Sequence, residues 1–447
     1  MTSSTSPLTI LEDLLAKARS AGADAADAVL IEGTSLSLAQ RLGEPESLER
    51  AENTDVGLRV FIGQSQAIVS TSDFSPNALD QIVTQAIAMA KSVPADPYCG
   101  IADSSQIVTA PPDLDMCDPK DVSADTLKQW AREGEDAARA VPGVTNSEGA
   151  ESSWSKTRIA LMASNGFAQT YERSRVGMAV SVLAGKGTAM ERDYDYSSAV
   201  YAEDLGNPAK IGKSAGKKAV KRLNPRKMPT AQVPIVYDPR AGRSLIGHLS
   251  SAINGQTVAR GTTFLKDCLG EKLFPKNIQI IDEPHRPRGL GSRPFDGEGI
   301  ATETITVIDQ GVLTTWLMDL RSARQLGLET NGRAARGVSS PPSPSTTNLY
   351  LAPGAVTPAE LMADIKSGFY VTELIGMGVN TVTGDYSRGA SGYWIENGEI
   401  AFPVSEVTIA GNLKEMYPTL SAANDLEFRY GTDAPTLRIE GMTVAGQ

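Results

Sequence analysis

The sequence predicts an α+β protein. Its N-terminal region is an α/β region of two related units of antiparallel strands and helices, and a β-rich C-terminal domain follows. Three observations support this. Helix-spaced apolar residues and strand-like runs recur in the same order twice, over 1–95 and again over 121–228. Glycine and proline become dense after Val233 while helical patterns thin out. Asn397-Gly398 then sits between two apolar runs, a strong hairpin signal because both residues tolerate φ > 0. With 447 residues and 41% hydrophobic content, the chain can bury a large core divided among several domains.

Residues 8–21 read as an amphipathic helix, with Leu11, Leu14, Leu15 and Ala18 on one face. Strands are expected at 26–32, 35–41, 47–52 and 54–62, and 66–72 should pair with the last across Gly63-Gln64. A second helix, 76–92, carries Leu79, Ile82, Val83, Ala86 and Ile87. The proline-rich stretch 96–120 reads as a linker. The second unit opens with a helix over 122–141, with Ser123 as N-cap. Strands at 144–154, 157–163 and 168–184 follow, turning at Ser164-Asn165-Gly166, with a further stretch ending near 202 and a lysine-rich helix at 208–223. The C-terminal domain, 229–447, should hold strands at 234–237, 278–282, 370–374 and 436–444. It should also hold helices at 240–254 and 358–367, and a hairpin over 305–316 turning at Asp309-Gln310-Gly311.

Charge and composition exclude some functions. A formal net charge of -11 argues against sequence-independent DNA binding, which needs Lys and Arg on phosphates, and no DNA-reading motif is present. Cys99, Cys117 and Cys268 are too few and scattered for a disulfide framework. No window has the roughly 20 apolar residues of a membrane span, and the first 22 residues lack a leader's basic and apolar regions, so a cytoplasmic location is expected. The chain has two histidines, His248 and His285, far apart in sequence, whereas a helical zinc motif needs two imidazoles about one turn apart.

Weaker motifs have plainer readings. Gly212-Lys213-Ser214 lacks the earlier glycine of a phosphate-binding loop. Lys210, Lys213, Lys217, Lys218 and Lys221, with Arg222, Arg226 and Lys227, read first as a solvated basic face and second as a docking surface for an acidic partner. Ser391 does not sit in a Gly-x-Ser-x-Gly elbow, and a base to activate it is hard to supply. Asp296 and Glu298 lie in a Pro/Gly-rich charged loop, where function concentrates, and are further candidates together with His248.

The stretch 379–413, VNTVTGDYSRGASGYWIENGEIAFPVSEVTIAGNL, resembles the C-terminal signature of PmbA/TldE proteins. They are one half of the TldD/PmbA family, once called modulators of DNA gyrase. The resemblance extends over nearly the whole chain. It implies a heterodimer with a TldD-type subunit that supplies zinc, forming an intracellular metallopeptidase acting on unfolded or leader peptides. In the TldD half a helix carries His-Glu-x-x-x-His. By the resemblance, Ile246 stands at the first His position, Gly247 at the Glu and Ser251 at the second His, with His248 between them. The resemblance therefore implies no catalytic residue and no cofactor in this chain. The glycine-rich run marks Gly384, Asp385, Tyr386, Arg388, Gly389, Ser391, Tyr393 and Trp394 for substrate or partner contact, through an extended peptide added to a strand edge, or else as a glycine-permitted loop within the core sheet. The alternative is a stand-alone homodimeric binding or regulatory protein without peptidase activity. Neither reading involves nucleic acid or a membrane.

Overall fold

A computed structural model describes residues 6–446. The first five residues, which fall within the stretch read as having no leader, and Gln447 lie outside the described residues. The first unit runs α1 (Pro7–Ser20), β1 (Ala25–Arg41), β2 (Glu44–Ile62), β3 (Ser65–Thr71), α2 (Pro76–Ser92). The second repeats that order: α3 (Ala124–Arg139), β4 (Val144–Ala163), β5 (Ala168–Ala184), β6 (Glu191–Ala199), α4 (Pro208–Lys221). Their strands share one sheet, ordered β3-β2-β1-β4-β5-β6. The two first strands meet at its centre, antiparallel, from Asp27↔Ala163 to Gln40↔Ala150.

Four short strands expected over 26–62 are in fact two long ones. β1 turns into β2 at Leu42-Gly43, with φ of 53° and 86°. Likewise 144–163 is one strand. Polar runs such as Glu49-Arg50-Ala51-Glu52-Asn53 break the apolar alternation and read as boundaries. The β1–β2 ladder nevertheless continues through them, and residues 44–53 of β2 lie exposed. Ladder pairing outweighs local composition there.

Alternation along β1 divides the two faces of the sheet. Ala28 and Leu30 pack under α1 and α2 with Leu11, Leu14, Ile82 and Val83. Further along, Leu38, Trp154, Val180 and Val182 pack under α3 and α4. Val29 and Leu161 face the other way, onto Phe295 of the C-terminal domain.

That domain contains β7 (Ala231–Tyr237), α5 (Pro239–Ala252), α6 (Gly255–Ala259), β8 (Ile280–Asp282), β9 (Ile305–Asp309), β10 (Val312–Leu313), α7 (Leu320–Leu326), β11 (Ala334–Ala335), β12 (Ser343–Pro344) and β13 (Leu349–Leu351). It continues with α8 (Pro358–Met362), β14 (Ser367–Ile375), β15 (Asp385–Glu396), β16 (Glu399–Asn412), α9 (Leu413–Met416), β17 (Ser421–Ala422), β18 (Thr432–Asp433) and β19 (Leu437–Ala445). The order β16-β15-β14-β7-β19 closes into a barrel because β16 also pairs with β19, Thr408↔Ala445. β7 and β14 run parallel within it. Asn397 and Gly398, at φ 51° and 82°, make the central hairpin turn. Among the described residues, no helix is long and apolar enough to cross a membrane.

Residues 96–120 contain no helix or named strand, and they strap the two halves together. Val108 N–H donates to Gly299 O at 3.0 Å, and Arg288 N–H to Leu114 O at 3.0 Å. Arg321 Nε reaches Asp96 at 2.6 Å, and Arg324 Nη2 reaches Ile101 O at 2.8 Å. At the sheet face the fit is close: a Cβ on Gly57 would stand 1.8 Å from Val338 O. Gly57→Ala must therefore push the domains apart, and a loss of about 1–3 kcal/mol is expected in urea unfolding.

Candidate functional site

The helix that carries Ile246, Gly247 and Ser251 starts with Asp238, whose carboxylate accepts the Arg240 N–H, and with Pro239 in the first turn. Its apolar stripe, Ala241, Leu245, Ile246, Leu249 and Ala252, faces the barrel-domain core. Ile246 is 1% exposed, a core residue. Gly247 has open space where a Cβ would project. Ser251 is exposed, and its hydroxyl donates to Gly247 O at 3.0 Å. One position points inward and another outward, so the three do not converge.

His248 is half-buried, its ring 6.0 Å from that of Tyr386. Burial, then the nearby Arg388 charge, pull its pKa down to about 4, so it is neutral at neutral pH. Its Nε2 is enclosed without a hydrogen-bond partner among the described residues. His285 lies elsewhere, with Nε2 2.9 Å from Thr302 Oγ1. Among the described residues, no three His, Cys, Asp or Glu side chains are grouped to hold a metal ion. The residues around α5 do not fit a zinc ion.

The glycine-rich segment forms β15, which is paired along both edges, to β14 and to β16. β14 covers 389–396, and the 378–380 loop bonds to 385–387 through Ser387 N–H to Gly378 O and Asn380 N–H to Asp385 O, so among the described residues β15 offers no long free edge to an extended peptide. Gly392 explains part of the glycine content, since a Cβ there would lie 1.9 Å from Tyr370 O on the neighbouring strand. Tyr386, Ser391, Tyr393 and Trp394 are buried, and so is Gly384, at φ 86°. Asp385 is exposed, and Arg388 and Gly389 are half-buried. Only the Asp385 end of the segment reaches the surface.

Ser391 has a structural partner. Arg222, just after α4, donates from Nη2 to Ser391 Oγ at 2.6 Å and from Nη1 to Glu373 at 2.6 Å. Arg222 Nη1 also meets Asp193 of β6 at 3.3 Å, and Arg240 of α5 reaches Asp193 at 2.8 Å. Burial would raise the Asp193 pKa, but the two guanidiniums hold it below the usual carboxylate value. This network joins the second N-terminal unit to the barrel. Sequence reading missed it because its members come from five separate elements.

Asp296 and Glu298 are both buried, 1% and 7% exposed. Asp296 accepts N–H groups from Glu298, Ile300 and Ala334 at 2.8, 3.0 and 3.1 Å. Glu298 accepts the Leu320 N–H at 2.8 Å. Burial pushes both pKa values up, Asp296 to about 6 and Glu298 to about 8, with the Asp296 charge adding to the rise of Glu298. Glu298 also feels the Arg59 and Arg336 charges, which pair with Asp27. This is a domain-boundary cluster, away from α5.

Family models for the PmbA/TldA metallopeptidase match nearly all of this architecture: domain 1 over 26–90, the central domain over 117–223 and the C-terminal domain over 230–446. The chain belongs to the PmbA/TldD family. Metalloprotease PmbA of Escherichia coli O157:H7 is 36% identical over 443 residues, covering 98% of this chain and 96% of that protein. The Metalloprotease PmbA homolog of Haemophilus influenzae is 36% identical, covering 96% and 94%. A solved Bacteroides thetaiotaomicron protein, described as a modulator of DNA gyrase, superposes with a TM-score of 0.90 at 26% identity, covering 98% of each chain. TldE of Thermococcus kodakarensis shares the fold, with a TM-score of 0.86 at 20% identity over 98% of this chain and all of that one.

Two outcomes are expected for this PmbA/TldD-family chain. Arg222→Ala, which leaves Asp193 and Glu373 short of a partner, should cost about 3 kcal/mol or more in urea unfolding, whereas Ser391→Ala should cost about 1 kcal/mol. The fold favours protonated Glu298. Its contribution to stability is therefore complete below the ordinary glutamate pKa of 4.5 and is lost as pH rises to about 8. Glu298→Gln keeps an acceptor for Leu320 N–H, so its melting temperature, followed across that span, should decline less with pH than that of the parent chain.

Proposed function

We propose that this chain is the TldE/PmbA-type subunit of a zinc metallopeptidase complex. It pairs in the cytoplasm with a TldD-type subunit that holds the zinc, and it does not cut peptide bonds itself. Its role is to shape the path of unfolded or leader peptides during proteolysis or peptide maturation and to support the partner's site. One observation carries the reading. In a chain related throughout to metallopeptidases, the helix at the motif positions presents a core isoleucine, a glycine and an outward serine. Such a set offers no ligand for zinc and no general base for a zinc-bound water.

The test is hydrolysis of a long unstructured peptide with added zinc by this chain, by a TldD-type subunit, and by the two mixed. Cleavage by the mixture above that of the partner alone, lost on chelation, is the expected result. Cleavage by this chain alone would overturn the reading. If the chain changes nothing in the mixture and sediments as a homodimer, the stand-alone binding role takes its place.

A further inference from the structure

The uncovered face of the N-terminal sheet meets the C-terminal loops around a cavity of about 330 Å3. That volume suits a small ligand. Ile31, Ile159, Leu161 and Phe295 give it apolar walls, and the first two are only half-buried, so the cavity is open to solvent. Its polar lining comprises Thr157, Tyr171, Arg173, Arg293, Asp296 and Arg336, the last already paired with Asp27.

Tyr171, Arg173 and Arg293 have donor capacity beyond the bonds they make within the chain. Arg173 donates to Leu290 O at 3.3 Å, and Arg293 donates to Ala334 O and Thr346 O at 3.2 and 2.9 Å. Carbonyl oxygens orient the guanidiniums but neutralise neither charge. Among the described residues, neither arginine forms an ion pair, and the Tyr171 hydroxyl has no hydrogen-bond partner. Burial lowers the Arg293 pKa; Tyr171 and the Asp282 and Asp296 carboxylates oppose that fall, and the neighbouring Arg173 charge adds to it. Burial raises the Tyr171 pKa, which keeps its hydroxyl a donor. Asp296 also lines the cavity, but three backbone N–H groups already hold its carboxylate. Two guanidiniums and a phenol beside apolar walls match a carboxylate attached to an apolar body.

We propose that this cavity binds the carboxylate of an apolar acid, either the C-terminal residue of a peptide or a free aliphatic acid. Arg173, Arg293 and the Tyr171 hydroxyl hold the oxygens, and the apolar body lies along Ile31, Ile159 and Phe295. The inference goes beyond the peptidase reading, because the site lies wholly within this chain and needs no partner subunit.

Isothermal titration of the full-length chain tests it, with N-acetyl-Ala-Ala-Leu, its C-terminal amide and 4-methylpentanoate as probes. The free peptide acid should bind at least about tenfold more tightly than the amide. Tyr171→Phe and Arg173→Gln should each weaken it about tenfold while leaving the melting temperature close to that of the parent chain. If 4-methylpentanoate binds as tightly as the peptide, the natural source is a free acid; if it binds much more weakly, the source is a peptide terminus. Equal binding of acid and amide overturns the proposal, as does the absence of binding by either acid at millimolar concentration. Unchanged affinity in both folded variants also overturns it. Binding is read without hydrolysis, so failure of the peptidase reading leaves this result intact.

Discussion

Asp27 is a buried carboxylate shared by guanidiniums from two domains. Arg59 comes from the adjacent strand of the N-terminal sheet, and Arg336 reaches it from the C-terminal domain. All three side chains are at most 4% exposed. Charges taken this far out of water are tolerable only when paired. Separating the domains would strand Asp27 with one partner and leave Arg336 with none. The sheet has a second reason to stay docked. Alternation places Val29 and Leu161 on the face away from the helices, so that face needs the C-terminal loops as a cover. The domains are thus coupled both by ion pairing and by apolar burial, and the strap at 96–120 follows the same boundary.

This coupling places the candidate sites. α5 and β15 are held by the barrel core, and Arg222 reaches across from the other domain to fix Ser391 and Glu373. A serine clamped by an arginine and buried in a doubly paired strand is a joint between domains, not an exposed nucleophile. Ile246 fills core volume where a metal ligand would have to face a cavity. On its buried face α5 acts as a packing element.

Much of the local structure was legible in the sequence. Apolar spacing located α1, α2, α3 and α5, and Ser123 caps α3 as expected, accepting the Thr126 N–H. Turn chemistry located the hairpins at Gly63, Asn165-Gly166, Gln310-Gly311 and Asn397-Gly398, because few residues other than Gly and Asn adopt φ > 0 easily. The repeated helix–strand–helix order anticipated the two related units. Strand lengths were misjudged where the ladder runs past the core into polar sequence. The roles of Asp296 and Glu298 were not legible either: their loop reads as a charged functional loop, yet both carboxylates are buried and held by backbone N–H groups of their own domain.

The sequence by itself determined the helices, the turns, the family signature around Tyr393-Trp394 and the lack of paired histidines. Each depends on residues near one another along the chain, where propensity and spacing act directly. Only the tertiary structure decided the β1–β4 junction, the barrel closure of β16 on β19, the Asp27 and Arg222 clusters, and the cavity lined by Tyr171, Arg173 and Arg293. These pair residues far apart in sequence. Whether two such residues meet is set by how the sheets cover each other's apolar faces, and no local pattern records that.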